Sequence, residues 1–340
     1  MGFKVLYTFP TNQRGMDIVR EVATIKILRN QYPPLNPITE DEVLAEIAEA
    51  DALINVRSVP TNRRIIEAAK NLKIIARHGL GYECIDVEAA SQRSILVTRT
   101  VGEGPYPVAE HAIGFLLALA RRFIPANTSV KSGKWETYKF IGSEVRNKTL
   151  GIIGLGGIGS EVARIARLAF QMRVIAHDPY ISEEKARDVG VKLLDLHSLL
   201  RESDYISVHA AATKESKGIL GGEEFNLMKK GAFIINCARG KLIDEKALYA
   251  ALVSGKVAGA ALDVLVEEPP PRDNPILKLE NVILTPHVAG TPEESLERMA
   301  TSVAENVADV LRGRLPQVEA VVNKSVLKMP PWNEMREADN

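Results

Sequence analysis

An α/β architecture with parallel sheets, arranged in two domains, is predicted by three features of this sequence. Short β-branched and apolar runs alternate with helix-length stretches along nearly the whole chain, the pattern of strands covered by helices. A glycine-rich turn, Gly154-Leu155-Gly156-Gly157-Ile158-Gly159, separates one such run from the helical stretch that follows it. The 340 residues exceed a typical domain of about 100–200 and leave ample core for two.

The first strand series reads 4–9, 52–56, 73–76 and 95–98, with a helical stretch at 65–70. The second reads 150–154, 173–177, 205–209, 232–237, 257–263 and 282–287, with helical patterns at 160–170 and 245–254. A long helix is expected over 292–312, with Thr291 as its cap, Pro292 in the first turn and Glu294 completing a capping box. Turn residues concentrate at Pro33-Pro34, at 102–107 and at 268–274. The tail after Met329, beginning Pro330-Pro331-Trp332, reads as frayed or packed on a partner. No fixed-period repeat or low-complexity tract interrupts the pattern.

Composition removes several classes of function. Basic and acidic residues balance at 43 each, which gives no footprint for nucleic acid. Apolar content is ordinary and no long like-charge block occurs, so disorder is not expected. The longest apolar run, 112–120, is about half a membrane span. The N-terminus enters an alternating apolar run directly, without a cleavable signal, and Leu6 stands where a myristoylation motif wants Ser or Thr. Cys84 and Cys237 are the only cysteines, so a reducing, cytoplasmic setting is expected.

The turn Gly154-x-Gly156-x-x-Gly159 follows a strand and opens a helix. Glycines at these positions allow a tight turn, close approach of backbone to a pyrophosphate and tight helix–strand packing. The helix N-terminus then offers N–H groups and a partial positive charge to phosphates. A bare match also fits a plain strand-to-helix turn, so context decides. The next strand ends at Asp178, nineteen residues beyond Gly159, close to the ~20 expected of a ribose-binding acid. Its carboxylate would accept from the adenosine ribose hydroxyls and repel a 2′-phosphate, favouring NAD over NADP. Alternatively, Asp178-Pro179 simply begins a turn.

Ligands in open α/β sheets sit outside the carboxyl ends of the strands. Those ends carry His209, Cys237-Ala238-Arg239-Gly240, Asp263 and His287, with Glu268 a few residues past Asp263. Together they supply a guanidinium, a carboxylate and an imidazole. Arginine binds a carboxylate in bidentate fashion and polarises a carbonyl. Histidine exchanges a proton with a hydroxyl as hydride moves, and a neighbouring glutamate stabilises its imidazolium. Each residue alone has an ordinary reading: a surface salt-bridge arginine, a capping histidine, a solvated Glu267-Glu268 turn. Their joint placement is what points to hydride transfer.

On these residues the chain resembles the NAD-dependent D-2-hydroxyacid dehydrogenases, most closely the phosphoglycerate dehydrogenases. The resemblance runs from about residue 4 to 325. It is carried by Gly133-Lys134-Trp135, 149–159, His177-Asp178-Pro179, 236–240, 259–264, Glu267-Glu268-Pro269-Pro270 and 284–290. It implies a Rossmann NAD-binding domain (104–287) inserted into a discontinuous flavodoxin-like substrate-binding domain (1–103 with 288–340). It further implies Arg239 as the catalytic, substrate-binding arginine and His287 as acid/base, paired with Glu268. By the same resemblance Gly154, Gly156, Gly157, Ile158, Gly159, Asp178, Ala210, Cys237, Ala238, Asp263 and Gly290 form the NAD site. Asp263 is expected on the nicotinamide carboxamide, and Cys237 is expected to offer backbone rather than act as a nucleophile. Leu80 and Gly81 in the turn 78–81 would bind a substrate carboxylate through backbone N–H groups. Arg57 matches a phosphate-binding arginine and equally reads as a surface residue.

The helix around 107–121 is expected to contribute to a homodimer. The implied substrate is a small anionic 2-hydroxy or 2-oxo acid, such as 3-phosphoglycerate with phosphohydroxypyruvate, or glyoxylate with hydroxypyruvate. No metal, nucleic acid or membrane is expected as a partner. Three departures stand out: Glu83-Cys84 replaces an Asp-Asn pair, 99–104 replaces an Asn-Thr-Pro-x-x-Asn segment, and His209-Ala210-Ala211-Ala212 replaces His-x-Pro-Leu. Glu103 adds a carboxylate beside an expected phosphate site, and Arg99 is an alternative anion partner. A C-terminal regulatory domain is not expected. Two other readings share the fold: an NAD-sensing corepressor-like binding protein, and a formate dehydrogenase-like enzyme, which would pair its histidine with Gln rather than Glu268.

Overall fold

The computed structural model describes residues 2–30, 37–101 and 105–337. Pro33-Pro34 and 102–104, including Glu103, lie outside the described residues. The chain forms two compact units: unit 1 comprises Met1–Glu103 with Pro292–Asn340, and unit 2 comprises Gly104–Thr291.

Unit 1 is built on five parallel strands: β1 (Phe3–Tyr7), β2 (Ala23–Ile27), β3 (Ala52–Val56), β4 (Ile74–His78) and β5 (Leu96–Arg99). Their order is β2-β1-β3-β4-β5, the flavodoxin-like doubly wound arrangement. Central β3 reads Ala-Leu-Ile-Asn-Val and is buried throughout, as a strand covered on both faces must be. The edge strand β2 alternates instead, with Thr24 and Lys26 exposed, and sequence periodicity did not single it out. A lysine on an edge strand also discourages further pairing.

The helix Glu293–Leu311 closes unit 1 by burying Met299, Val303, Val307 and Val310 on one face. Each such side chain contributes about 1.5–3 kcal/mol relative to exposure. Its start differs from expectation: Pro292 holds the cap position with extended backbone, and no side chain caps the helix. The Thr291 hydroxyl donates backward to Val288 O at 2.8 Å, so the capping box does not form. The tail is also corrected. Trp332 is 2% exposed and its indole N–H donates to Ser94 O at 2.7 Å, which anchors the chain after Met329 in the unit 1 core.

Unit 2 carries seven parallel strands. They are β6 (Thr149–Ile153), β7 (Arg173–His177), β8 (Lys192–Leu193), β9 (Tyr205–Val208), β10 (Ala232–Asn236), β11 (Val257–Leu262) and β12 (Val282–Leu284). The order β12-β11-β10-β9-β6-β7-β8 reverses direction between β6 and β9, the switch point at which doubly wound sheets bind ligands. The two-residue β8 was too short to read from pattern. The helix Tyr106–Ala120 packs its apolar face, Ala109, Ala112, Phe115, Leu116 and Leu119, into the unit 2 core. Among the described residues no helix is long and apolar enough to cross a membrane.

Candidate active site

At the switch point, β6 runs into the helix Gly157–Phe170 through the glycine turn. Gly154 has φ +92°, and a Cβ there would stand 2.5 Å from the backbone N of Ala210 at the end of β9. A Cβ on Gly159 would fall 2.1 Å from Gly154 O, so helix and strand pack at a distance only glycine permits. By contrast, the space around Gly156 is open within 4 Å. Gly156 caps the helix without a side chain, which leaves the N-terminal N–H groups directed at any anion placed there. Asp178 follows β7; its carboxylate accepts from Leu155 N at 2.8 Å and Tyr180 N at 2.9 Å. The acid is thereby fixed against the glycine turn itself. Ile158 packs partly buried on the unit 2 core. These residues fit a dinucleotide: an open glycine cradle, an uncapped helix end and an oriented carboxylate beside it.

The end of β10 is shaped by Asn236, which is buried. Its amide nitrogen donates to Arg239 O at 3.0 Å, and its oxygen accepts from Ala238 N at 3.0 Å. The loop Cys237-Ala238-Arg239 is thus pinned at both ends, with the Arg239 guanidinium donating to Ala238 O at 2.7 Å. Cys237 is buried; burial pushes its thiol pKa up, and the charge of Asp263 adds to this. Both effects favour the thiol over the thiolate.

Beyond β11 and β12, Asp263 organises the turn that carries His287. Its side chain is 1% exposed. One carboxylate oxygen accepts from Thr285 Oγ1 at 2.5 Å and Val288 N at 2.8 Å; the other accepts from Ala289 N at 2.9 Å. Its backbone oxygen accepts the His287 N–H at 2.9 Å. His287 sits at φ +55°, a left-handed conformation that costs a non-glycine residue about 1–3 kcal/mol and must be held by its surroundings.

His287 Nδ1 lies 2.6 Å from Glu268 Oε2, and both side chains are partly exposed. Burial pushes the Glu268 carboxyl up, but the His287 hydrogen bond and charge outweigh it, helped by the Leu265 N–H and the charge of Arg239. The net pKa lies below its ordinary value. The Glu268 loop is tethered in turn by Glu245, which accepts from Val266 N at 2.5 Å and Asn274 Nδ2 at 3.2 Å.

Arg57, Leu80 and Gly81 belong to unit 1. Arg57 (φ +67°) and Ser58 (φ +55°) form a strained loop after β3. The turn after β4 is organised by buried Arg77, which donates to Gly81 O at 2.9 Å, Asn55 O at 3.1 Å and Ser58 Oγ at 2.6 Å. Gly79 N donates to Thr100 Oγ1 at 2.6 Å, and Leu80 is exposed.

Within unit 2, Arg239, Glu268 and His287 lie on the segments that follow the adjacent strands β10, β11 and β12, with Cys237 and Ala238 also after β10 and Gly290 after β12, while Gly154–Gly159, Asp178 and Ala210 follow β6, β7 and β9. Three residues that hydrogen-bond to this machinery have no role assigned from the sequence: Asn236, Thr285 and His111. Asn236 was detectable as the one polar residue ending the buried run Ala-Phe-Ile-Ile-Asn. His111 stands in an apolar helix, and nothing local pairs it with Thr285, 174 residues later. Among the described residues no cluster of three or more His, Cys, Asp or Glu side chains is arranged to hold a metal ion.

Residues 113–289 match a family model described as D-isomer specific 2-hydroxyacid dehydrogenase, NAD binding domain. D-3-phosphoglycerate dehydrogenase of Archaeoglobus fulgidus is 42% identical over 318 residues, covering 94% of this chain and 59% of that protein. The chain therefore spans about three fifths of the length of such relatives. Glyoxylate reductase of Korarchaeum cryptofilum is 38% identical over 332 residues, covering 96% of this chain and 98% of that one. A solved D-lactate dehydrogenase from Aquifex aeolicus, complexed with NAD and lactic acid, superposes with a TM-score of 0.82 at 30% identity, covering 94% of this chain and 99% of that one.

Proposed function

The chain belongs to the D-isomer specific 2-hydroxyacid dehydrogenases, and from that premise we propose that it interconverts a D-2-hydroxy acid and its 2-oxo acid with NAD. The observation that carries this reading is the His287 Nδ1 to Glu268 Oε2 contact of 2.6 Å on a turn held by Asp263. It leaves Nε2 as the ring nitrogen open to exchange a proton with the substrate oxygen. Glu268 stabilises the imidazolium formed when the hydroxyl is deprotonated. Arg239 binds the substrate carboxylate and polarises the carbonyl in the reverse direction.

NAD supplies the hydride acceptor when bound. The uncapped helix after Gly156 is assigned to its phosphates and Asp178 to the adenosine ribose hydroxyls, which favours NAD over NADP. Asp263 is assigned to the nicotinamide carboxamide, and its carboxylate also holds the His287 turn, where Oδ1 accepts from Thr285 Oγ1 and Val288 N and Oδ2 accepts one bond, from Ala289 N. In unit 1, the Leu80 and Gly81 backbone is assigned to the substrate carboxylate and Arg57 to a more distal anionic group. The test is loss of NADH absorbance against glyoxylate, hydroxypyruvate, phosphohydroxypyruvate and pyruvate. Turnover of none of them overturns the proposal; preference for the phosphorylated acid supports Arg57 as an anion site.

We also propose a homodimer. Between residues 123 and 141 of unit 2 the large apolar side chains Phe123, Ile124, Val130, Trp135, Tyr138 and Ile141 are exposed, Trp135 and Tyr138 to 83% and 86%. So many exposed apolar side chains within one short stretch support an interaction surface there. Light scattering on the wild type and on Trp135→Glu/Tyr138→Glu tests it; a monomeric wild type removes the reading. Both cysteines are free thiols, which supports a reducing, cytoplasmic setting.

A further inference from the structure

We propose that His111 is a positioning residue for the proton-transfer turn, acting through the Thr285 hydroxyl on the Asp263 carboxylate; the inference rests on the dehydrogenase reading above. His111 lies in the helix Tyr106–Ala120. Its Nε2 is 3.2 Å from Thr285 Oγ1 and 3.8 Å from Asp263 Oδ1. The direction of each bond follows from valence. An ionised carboxylate only accepts, so the single Thr285 hydroxyl proton goes to Asp263 Oδ1. That leaves the Thr285 oxygen as acceptor toward His111, whose Nε2 therefore carries a proton.

The imidazole is itself held. Phe115, one helical turn on, meets the His111 ring edge-to-face with centroids 4.4 Å apart. His111 thus acts as a stop on the Thr285 hydroxyl rotor and keeps its proton aimed at Asp263. Asp263 in turn receives Val288 N–H, Ala289 N–H and, at its backbone oxygen, His287 N–H. The chain His111 to Thr285 to Asp263 ends on a histidine whose φ of +55° has to be imposed from outside. Releasing the rotor removes one of three donors from a buried carboxylate and loosens the turn that aims the His287 ring. Proton transfer is sensitive to displacements of about half an ångström, so the effect falls on turnover more than on binding.

The test compares His111→Leu, His111→Gln and Thr285→Val with wild type. Gln places a donor nitrogen near the position of Nε2, whereas Leu does not. His111→Leu and Thr285→Val should each lower kcat about 10-fold per folded molecule, with KM and the NADH Kd within about 2-fold. The double variant should lose about 10-fold as well, because both changes cut one chain. His111→Gln should recover most of the rate. Unchanged kcat in His111→Leu, equal loss in His111→Gln, or multiplicative losses in the double variant would each overturn the proposal. Imidazole NMR reads His287 without substrate, so it stands apart from whether a 2-oxo acid is reduced. The His287 Nδ1 proton resonance should shift or broaden in His111→Leu and return in His111→Gln. An unmoved resonance in His111→Leu counts against the positioning role even in an inactive protein.

Discussion

Glu268 Oε2 lies 2.6 Å from His287 Nδ1, so the carboxylate claims one ring nitrogen and leaves Nε2 as the other. Replacing Glu268 by Gln keeps the shape and removes the charge that stabilises imidazolium. Turnover should fall about 10–100-fold with NADH binding unchanged. Because the pair holds the Glu268 carboxyl below its ordinary value, the wild-type pair persists as pH falls and breaks only as that lowered value is crossed. The wild-type rate should therefore show an acid limb below the ordinary carboxylate range that Glu268→Gln lacks. Equal limbs in pH–rate profiles of the two proteins would contradict it.

Arg239 is held by its own loop, through Asn236 to its backbone oxygen and through its guanidinium to Ala238 O. Arg239→Ala should lower kcat/KM by at least ~100-fold, about 2.7 kcal/mol or more, while NADH still binds. Arg239→Lys should not restore the rate, since a lysine cannot offer the planar bidentate fork. Steady-state kinetics with NADH titrated by fluorescence separates the two effects, and wild-type turnover in Arg239→Ala would remove the arginine from the mechanism.

Asp178 supports the glycine turn through Leu155 N, and the proposed function also assigns it to the adenosine ribose hydroxyls. Asp178→Ala should therefore weaken NADH strongly and NADPH little, because the lost repulsion toward a 2′-phosphate offsets the loosened turn only for NADPH. Parallel Kd measurements decide this. Equal weakening of both cofactors would leave Asp178 with a structural role alone.

Much of unit 2 was legible because its signals are local. A strand followed by Gly154-x-Gly156-x-x-Gly159 and then Asp178 fixes register, turn and partner within thirty residues of chain. Arg239 and His287 stand out from reading strand ends, and Glu268 from lying five residues beyond the strand-end Asp263. What escaped depends on distant contacts. Trp332 looks like a loose tail until Ser94, 238 residues earlier, accepts its N–H. Thr291 has the right chemistry for a cap, but Pro292 takes the cap position. Asp263 reads as a ligand for the cofactor by position; its second duty, holding the His287 loop, shows only in the fold. Strand β2 alternates apolar and polar residues over five positions, too few to separate from a loop by period alone.

His209, at the end of β9, pairs through Nε2 with Ser207 Oγ at 2.8 Å, while its buried Nδ1 has no hydrogen-bond partner among the described residues. Burial lowers its pKa from 6.5 to about 4. Between those values the unfolded chain binds a proton that the folded chain does not, so stability is full above pH ~6.5 and is lost as pH falls toward about 4. The loss attributable to this residue is ~3 kcal/mol at most. His209→Gln, which keeps a partner for Ser207 and cannot protonate, should flatten that part of the curve. Urea unfolding at pH 7.5, 5.5 and 4.5 should show wild type losing more stability than the variant over the same interval. His78 in unit 1, also lowered to about 4 by burial and by the charge of Arg77, should contribute a like and separate loss that His209→Gln leaves in place. If His209→Gln loses as much stability as wild type, the acid sensitivity of unit 2 resides elsewhere.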